Sequence, residues 1–179
     1  MQTELVTFQS NYPRSWLANQ RIYRSGWRNG GQADPWNRAY RWMSCAMARR
    51  GIPTHGYSPV WTWSKSSALG GPPTFATADA LLSGSERSAG VWIYELSVPA
   101  HLVLPSCYLL WNQVLDEFLD GGEPAKSPNQ LFDPAIYRYQ TAPQPDDVQF
   151  CIPFIDRSWV RDVRPLPMRP KLNDWDAAV

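Results

Sequence analysis

The chain has 179 residues, a length that suits one domain and is too short for two well-developed ones. Its ten Trp, eight Tyr and six Phe indicate a packed globule and exclude a disordered chain, although the mean hydropathy is negative. The net charge of +1 implies no special partner, and the chain shows neither a long apolar run nor a signal-peptide pattern, so we expect a cytoplasmic protein without a membrane partner. These features predict one globular domain over residues 1–168 and a loose tail over residues 169–179.

The cysteine and histidine content argues against a metal site or a disulfide framework. The three cysteines, Cys45, Cys107 and Cys151, are far apart and odd in number, which is typical of reduced thiols. Because His55 and His101 are the only histidines, a zinc site would need carboxylates. We therefore expect no metal.

Two regions of the chain carry opposite charge. Residues 1–50 contain eight arginines against Glu4 and Asp34, which gives +6, and residues 111–150 contain two basic residues against seven acidic ones, which gives −5. The two regions either neutralise each other across the fold or leave an anion site among the arginines, whose planar forks suit phosphate and carboxylate groups.

The first half of the chain predicts two strands and two helices. Residues 3–8 alternate as a short strand, 13–20 form a brief helix, and 21–25 extend again. The clearest helix begins at Asp34 as the N-cap with Pro35 in its first turn, and it ends at Gly51. The glycine-rich stretch 26–32 before it is interpreted as a turn. One apolar stripe of this helix faces the core and comprises Trp36, Tyr40, Met43 and Met47.

The second half predicts a second helix among strands. The helix spans residues 108–122, and its acidic C-terminal end calls for a basic neighbour, for which the arginine-rich first helix is the candidate. Strands are predicted at 91–98, 147–154 and 158–166, with Pro153 marking an edge or a bulge and the last strand partly exposed. The apolar side of the helix is formed by Trp111, Val114, Leu115 and Phe118.

The pattern as a whole favours an α+β fold: a single compact domain with a mixed or mostly antiparallel sheet and two main helices. Residues 70–88 and 121–145 are rich in Gly, Pro, Ser and Ala and are interpreted as long loops or short helical turns. The chain contains no phosphate loop, dinucleotide glycine fingerprint, nucleophile elbow or zinc-protease helix.

Trp61 and Trp63 share one face of a strand predicted over residues 57–64, while Thr62 and Ser64 share the other. Two tryptophans on one face either belong to the core or form a platform on which nicotinamide, adenine or an unpaired base stacks. One ring in the core and one at its rim would satisfy both interpretations.

Two aromatic motifs support a resemblance. Tyr-Arg-Trp-Met occupies residues 40–43, Pro-Val-Trp-Thr-Trp occupies 59–63, and a strand ending at Pro99 precedes a Leu-rich helix that contains Trp111. With these motifs the chain resembles, over residues 3–165, an uncharacterised bacterial domain family with a Tyr-x-Trp-Met helix and a Pro-x-Trp-x-Trp strand. The resemblance implies a bacterial origin and one domain, and it brings no established activity.

The layout is also similar, more distantly, to ADP-ribosyltransferase-like domains, through IYRS at 22–25, WSKSS at 63–67 and YELS at 94–97. This resemblance implies an enzyme that uses NAD, either a mono-ADP-ribosyltransferase or an NAD glycohydrolase. Glu95 would be its catalytic carboxylate, stabilising the oxocarbenium-like centre as nicotinamide departs. The NAD-binding residues it implies are Arg24, Trp61, Trp63, Ser64, Ser66 and Ser67.

A second hypothesis is a non-catalytic module that binds a nucleotide, another phosphorylated ligand or nucleic acid, with the tryptophans as stacking partners. Under this hypothesis Glu95 is a half-buried carboxylate bonded to a neighbouring arginine. Besides Arg24, the side chains that would hold phosphate are Arg28, Arg38, Arg41 and Lys65.

Overall fold

The protein is an α+β domain built on an antiparallel sheet, as the sequence predicts. A computed structural model describes residues 1–64, 82, 84–124, 129–133 and 148–166. Within this part of the chain, six strands form one sheet in the order β5-β6-β3-β1-β4-β8, and β2 and β7 form a separate antiparallel pair. The strands are β1 (Gln2–Gln9), β2 (Ile22–Tyr23), β3 (Val60–Ser64), β4 (Trp92–Pro99), β5 (Leu104–Cys107), β6 (Val148–Ile152), β7 (Ile155–Asp156) and β8 (Val160–Pro165).

Helices cover both faces of the sheet. The helices are α1 (Tyr12–Asn19), α2 (Pro35–Ala48), α3 (Gly84–Ser88) and α4 (Tyr108–Leu119), and 3-10 turns lie at Ala100–Leu102, Asn129–Phe132 and Arg157–Trp159. Trp61 of β3 contacts Tyr40 of α2 and Trp111 of α4, which places these two helices on the face that carries Trp61. On the opposite face, Arg14 of α1 lies over the ring of Trp92.

Helix α2 begins where the sequence predicts. The Asp34 carboxylate accepts a hydrogen bond from the backbone N–H of Asn37 at 3.0 Å and so satisfies one of the free amides of the first turn. Met43 and Met47 of the predicted stripe are fully buried, and Trp36 and Tyr40 pack against the core from its edge. The stripe is therefore confirmed as a core contact.

Helix α4 buries all four of its predicted apolar residues, and its N-cap is the thiol of Cys107, which accepts from the backbone N–H of Leu110 at 3.4 Å. Beyond its C-terminal end, Arg38 of α2 donates to the carbonyl oxygen of Gly122 at 2.9 Å and contacts Glu123 at 3.4 Å. The predicted basic neighbour is thus Arg38, and the oppositely charged regions meet at this point.

Each predicted strand is present, several with shorter bounds, whereas β5 and β7 are not among the predicted strands and the expectation for Pro153 needs correction. Strand β8 lies at an edge of the sheet and is partly exposed, as expected. The prediction that Pro153 marks an edge or a bulge is wrong, because β6 lies between β5 and β3 and all five of its residues are buried. Pro153 is compatible with an interior strand since it follows Ile152, the last paired residue, where no ladder hydrogen bond is lost.

No helix in the described part of the chain is long and apolar enough to span a membrane. The tail predicted at 169–179 and most of the two predicted loops lie outside the described residues.

Candidate functional site

A cavity of about 750 Å³ lies between the sheet face of Trp61 and Trp63 and the helices that cover it. Its walls come from the end of β1, the turn before α2, the helices α2, α3 and α4, and the strands β3 and β6. Side chains far apart in sequence therefore meet at one place. Its described lining residues are Phe8, Gln9, Ser25, Gly26, Arg28, Asn29, Trp36, Tyr40, Ser58, Pro59, Val60, Trp61, Trp63, Leu82, Glu86, Tyr108, Trp111, Asn112, Leu115 and Gln149.

One wall of the cavity is a continuous run of aromatic rings. The centroids of Trp61 and Trp111 are 4.7 Å apart, and Tyr40 lies 5.7 Å from Trp61 and 6.3 Å from Trp36. Phe8 contacts Trp63 at 5.8 Å. Such a wall offers flat, polarisable surface to a planar ligand.

The exposed end of the cavity carries a cation, Arg28. Its guanidinium carbon lies 4.9 Å from the ring centroid of Trp36, so the guanidinium stacks on the aromatic wall. Arg28 forms no ion pair with any residue that the structure describes. Arg28 is therefore a candidate for contact with an anionic ligand.

The turn that carries Arg28 is fastened to α2 by the buried side chain of Asn37. Its amide nitrogen donates to the carbonyl oxygens of Arg28 and Gly31 at 2.9 and 2.8 Å, and its amide oxygen accepts from the N–H of Arg28 at 3.0 Å. Gly31 has φ +72°, and a Cβ at Gly30 would lie 2.7 Å from the Asp34 carboxylate, so both glycines suit this turn. The interpretation of residues 26–32 as a turn is confirmed.

The buried end of the cavity carries polar groups that find no hydrogen-bond partner in the described part of the chain. Trp63 is 6% exposed and Gln149 is 2% exposed, and both line the cavity. Neither the indole N–H of Trp63 nor the amide nitrogen of Gln149 has a hydrogen-bond partner among the residues that the structure describes. Trp61 presents a third such N–H, which lies near the Tyr40 hydroxyl but meets no acceptor in that part of the chain at hydrogen-bonding geometry.

Tyr40 contributes a neutral hydroxyl to the site. Burial raises the pKa of the Tyr40 phenol above its ordinary value, the positive charge of Arg28 opposes the rise, and the negative charge of Glu86 adds to it. Because the phenol stays protonated at neutral pH, it can donate as well as accept. Glu86 of α3 carries the one carboxylate among the described residues that line the same cavity.

No protein-family model, curated protein or solved structure matches this chain. Both resemblances therefore stay predictions, and the geometry of the site is what bears on function.

The two tryptophans fit the arrangement of one ring in the core and one at its rim, and their role as a stacking platform stays a prediction. Trp63 is buried, Trp61 packs against the core at its rim, and both line the cavity. Ser64 points to the other face of β3 and is buried away from the cavity. Lys65, Ser66 and Ser67 lie outside the described residues.

The structure does not bring Arg24 and Glu95 to this cavity. The Arg24 guanidinium carbon lies 5.5 Å from the ring of Tyr57 and 5.6 Å from that of Phe154. Glu95 shares a sheet face with Trp63 but lies two strands away and accepts a hydrogen bond of 2.6 Å from Arg164. Neither residue lines the aromatic cavity.

Arg38 and Arg41 line a second, smaller cavity of about 280 Å³ together with Trp42 and Phe118. Arg41 stacks on Trp27, with its guanidinium carbon 4.4 Å from the ring centroid. Arg28 is therefore separated from the other two arginines that the sequence assigns to phosphate binding.

Much of the cavity lining is not predicted as a ligand site from the sequence. The sequence pattern assigns Trp36, Tyr40 and Trp111 to the core alone, and it does not single out Gln149 and Glu86. Gln149 carries the one signal that is available, because it is a polar residue within the apolar run VQFCI. No group of His, Cys, Asp and Glu residues able to hold a metal ion occurs among the described residues.

Proposed function

We propose that this protein binds a nucleotide in the aromatic cavity. The observation that carries the proposal is that one cavity combines a stacking wall, a cation and buried donors. Neither the cation nor the donors are paired within the described residues. A base stacks against the wall formed by Trp61 and its neighbours, and the phosphate meets Arg28 at the exposed end. Stacking on aromatic side chains contributes about 1–3 kcal/mol per base.

The dimensions of the cavity support a mononucleotide or a dinucleotide. Ligand sites are concave, largely apolar and about 300–1,000 Å³ in volume, with a few polar groups that fix orientation. The cavity of about 750 Å³ falls in this range, and its lining combines aromatic rings with polar side chains. A cavity of this volume suits a free nucleotide better than a nucleic-acid strand, which binds along an extended basic groove.

The test compares inosine monophosphate with inosine on two variants. We expect Arg28→Ala to raise the Kd for the monophosphate about tenfold or more, since a charge-assisted hydrogen bond contributes about 1.5–3 kcal/mol, and to leave inosine binding unchanged. Arg161→Ala is the control, because Arg161 is exposed on β8 and does not line the cavity. Calorimetric titration measures the Kd of each ligand for wild type and for each variant. Absence of binding to wild type, or equal loss in the two variants, would contradict the proposal.

NAD is a nucleotide that this site could accommodate, and an NAD-consuming reaction remains a proposal that rests on the distant resemblance. The reaction needs a carboxylate at the ring that becomes oxocarbenium-like. Glu95 is paired with Arg164, whereas Glu86 lines the cavity. For NAD bound in this cavity, Glu86 lies closer to the ligand than Glu95, so the two carboxylates are tested separately.

For Glu95→Gln we expect unchanged nucleotide affinity and a free energy of unfolding lowered by no more than about 1 kcal/mol. The residue lies outside the cavity, and its partner Arg164 is 47% exposed, so solvent screens the pair. Titration and urea unfolding measure the two quantities. Nicotinamide release from NAD by wild type that is lost in Glu95→Gln and kept in Glu86→Gln would instead establish Glu95 as the catalytic carboxylate.

A further inference from the structure

Three buried polar side chains lie side by side across the sheet. Ser106 of β5 is paired with Gln149 of β6, and Gln149 is paired with Trp63 of β3, so all three point to the same face. Their exposures are 0%, 2% and 6%. Three of their polar atoms have no hydrogen-bond partner within the described part of the chain: the hydroxyl oxygen of Ser106, the amide nitrogen of Gln149 and the indole nitrogen of Trp63.

Such an arrangement is unusual for a protein interior. Buried polar groups nearly always have a partner, and a buried donor that lacks one destabilises the fold. Ser106 does not line the cavity, but Gln149 and Trp63 do, so a molecule bound there lies beside both side chains. These two buried donors are therefore candidates for contact with a ligand.

The direction of these groups fixes the chemistry of that ligand. An indole N–H can only donate, and the amide nitrogen of Gln149 donates as well. The Cβ atoms of directly paired residues on neighbouring antiparallel strands are about 5 Å apart, a spacing compatible with donation by both side chains to one oxygen, which has two lone pairs. The aromatic wall formed by Trp61 and Trp111 lines the same cavity and offers a surface for the face of a ring.

We propose that the cavity selects a planar heterocycle that bears an exocyclic carbonyl, whose oxygen accepts hydrogen bonds from Trp63 and Gln149. This inference rests on the proposed nucleotide-binding function and specifies its ligand. Oxopurines, pyrimidine diones and the carboxamide of nicotinamide share this group. Adenine bound in the same orientation is disfavoured, because its exocyclic amino group is a donor and would face two further donors.

The test uses a matched pair of ligands that differ at one position. Inosine monophosphate and adenosine monophosphate share the purine skeleton, ribose and phosphate, and differ in a carbonyl or an amino group at carbon 6. We expect wild type to bind inosine monophosphate at least about tenfold more tightly than adenosine monophosphate. The adenine compound loses one or more hydrogen bonds and leaves the protein donors unpaired. Uridine monophosphate and nicotinamide mononucleotide then distinguish a nucleobase carbonyl from a carboxamide as the natural source.

Two variants test whether these donors are responsible. Trp63→Phe keeps an aromatic ring and removes the N–H, and Gln149→Met keeps the side-chain length and removes the amide. Each is expected to reduce the preference for inosine monophosphate to within about threefold, as expected for loss of a hydrogen bond worth about 0.5–1.5 kcal/mol. Trp42→Phe is the control, because Trp42 stacks on Phe132 outside this cavity, and it should keep the full preference.

The outcomes separate this inference from the function on which it rests. Equal binding of the two purine nucleotides, with Arg28→Ala still weakening both, overturns the carbonyl selectivity and leaves nucleotide binding in place. Binding of neither nucleotide overturns both. A preference that persists in Trp63→Phe and in Gln149→Met would also overturn the assignment of these donors, and circular dichroism of each variant confirms that it is folded.

Discussion

Replacing Asn37 with alanine is expected to lower the free energy of unfolding by about 3 kcal/mol. The side chain is fully buried and makes three hydrogen bonds to the backbone of Arg28 and Gly31. Alanine removes all three and leaves one N–H and two carbonyl oxygens without their partners. Urea unfolding followed by tryptophan fluorescence measures the change.

The control for this substitution is Asn29→Ala on the same turn. Asn29 is exposed, so its replacement should change the free energy of unfolding by less than about 0.5 kcal/mol. Asn37→Ala protein that remains folded should also bind inosine monophosphate as weakly as Arg28→Ala, because the turn no longer holds the cation over Trp36. A free energy of unfolding equal to that of wild type would contradict the role of Asn37.

Replacing Asp156 with alanine is expected to lower the free energy of unfolding by about 2 kcal/mol at pH 7. The Asp156 carboxylate is buried in β7, and it accepts hydrogen bonds of 2.8 Å from both the N–H and the hydroxyl of Ser158. It also accepts one of 3.0 Å from Arg21, at the strand pair that joins β7 to β2. Alanine leaves the Ser158 donors without this acceptor and removes the side-chain contact with Arg21, while the backbone pairing of the two strands remains.

This carboxylate also gives a defined pH dependence. Burial alone would raise the pKa of Asp156, but the hydrogen bonds from Ser158 and Arg21 outweigh it and hold the pKa below its ordinary value of 3.8. Its charged form therefore stabilises the fold fully above that ordinary value, and the contribution is lost as the pH falls through the lower, folded-state pKa. The matched variant is Asp156→Asn, which keeps the shape of the side chain and cannot titrate.

The measurement is the difference in the free energy of unfolding between wild type and Asp156→Asn from pH 7 to pH 2. We expect the difference to be constant down to about pH 4 and to shrink below it. A difference that grows as the pH falls, or that does not change, would contradict the assignment.

Features that depend on local sequence could be predicted, and features that depend on strand pairing could not. Asp34, Pro35 and the apolar stripe of α2 are neighbours in sequence, so the helix and its buried side follow from spacing alone. The same holds for α4 and for the alternating strand β4. The interior position of β6 could not be predicted, because strand order is set by contacts between segments that are distant in sequence. Pro153 carries no information about those contacts.

The candidate site shows the same division. Trp61 and Trp63 stand out because they lie two residues apart, and they do line the cavity. Gln149 joins Trp63 only through the register of β3 against β6, which no local pattern encodes. Glu95 is a candidate on account of its neighbours in sequence, and the register instead places it beside Asp162 and Arg164.

Three residues in the first half of α2 shape the cavity, and their position on one helix affects how a ligand binds. Trp36 supplies a stacking ring, Asn37 fixes the turn that holds Arg28, and Tyr40 extends the aromatic wall, all within the first half of one helix. A ligand therefore meets groups that are already ordered, and little conformational entropy is lost at these positions when it binds. Association at this wall resembles docking onto a rigid surface more than the folding of a loop around its target.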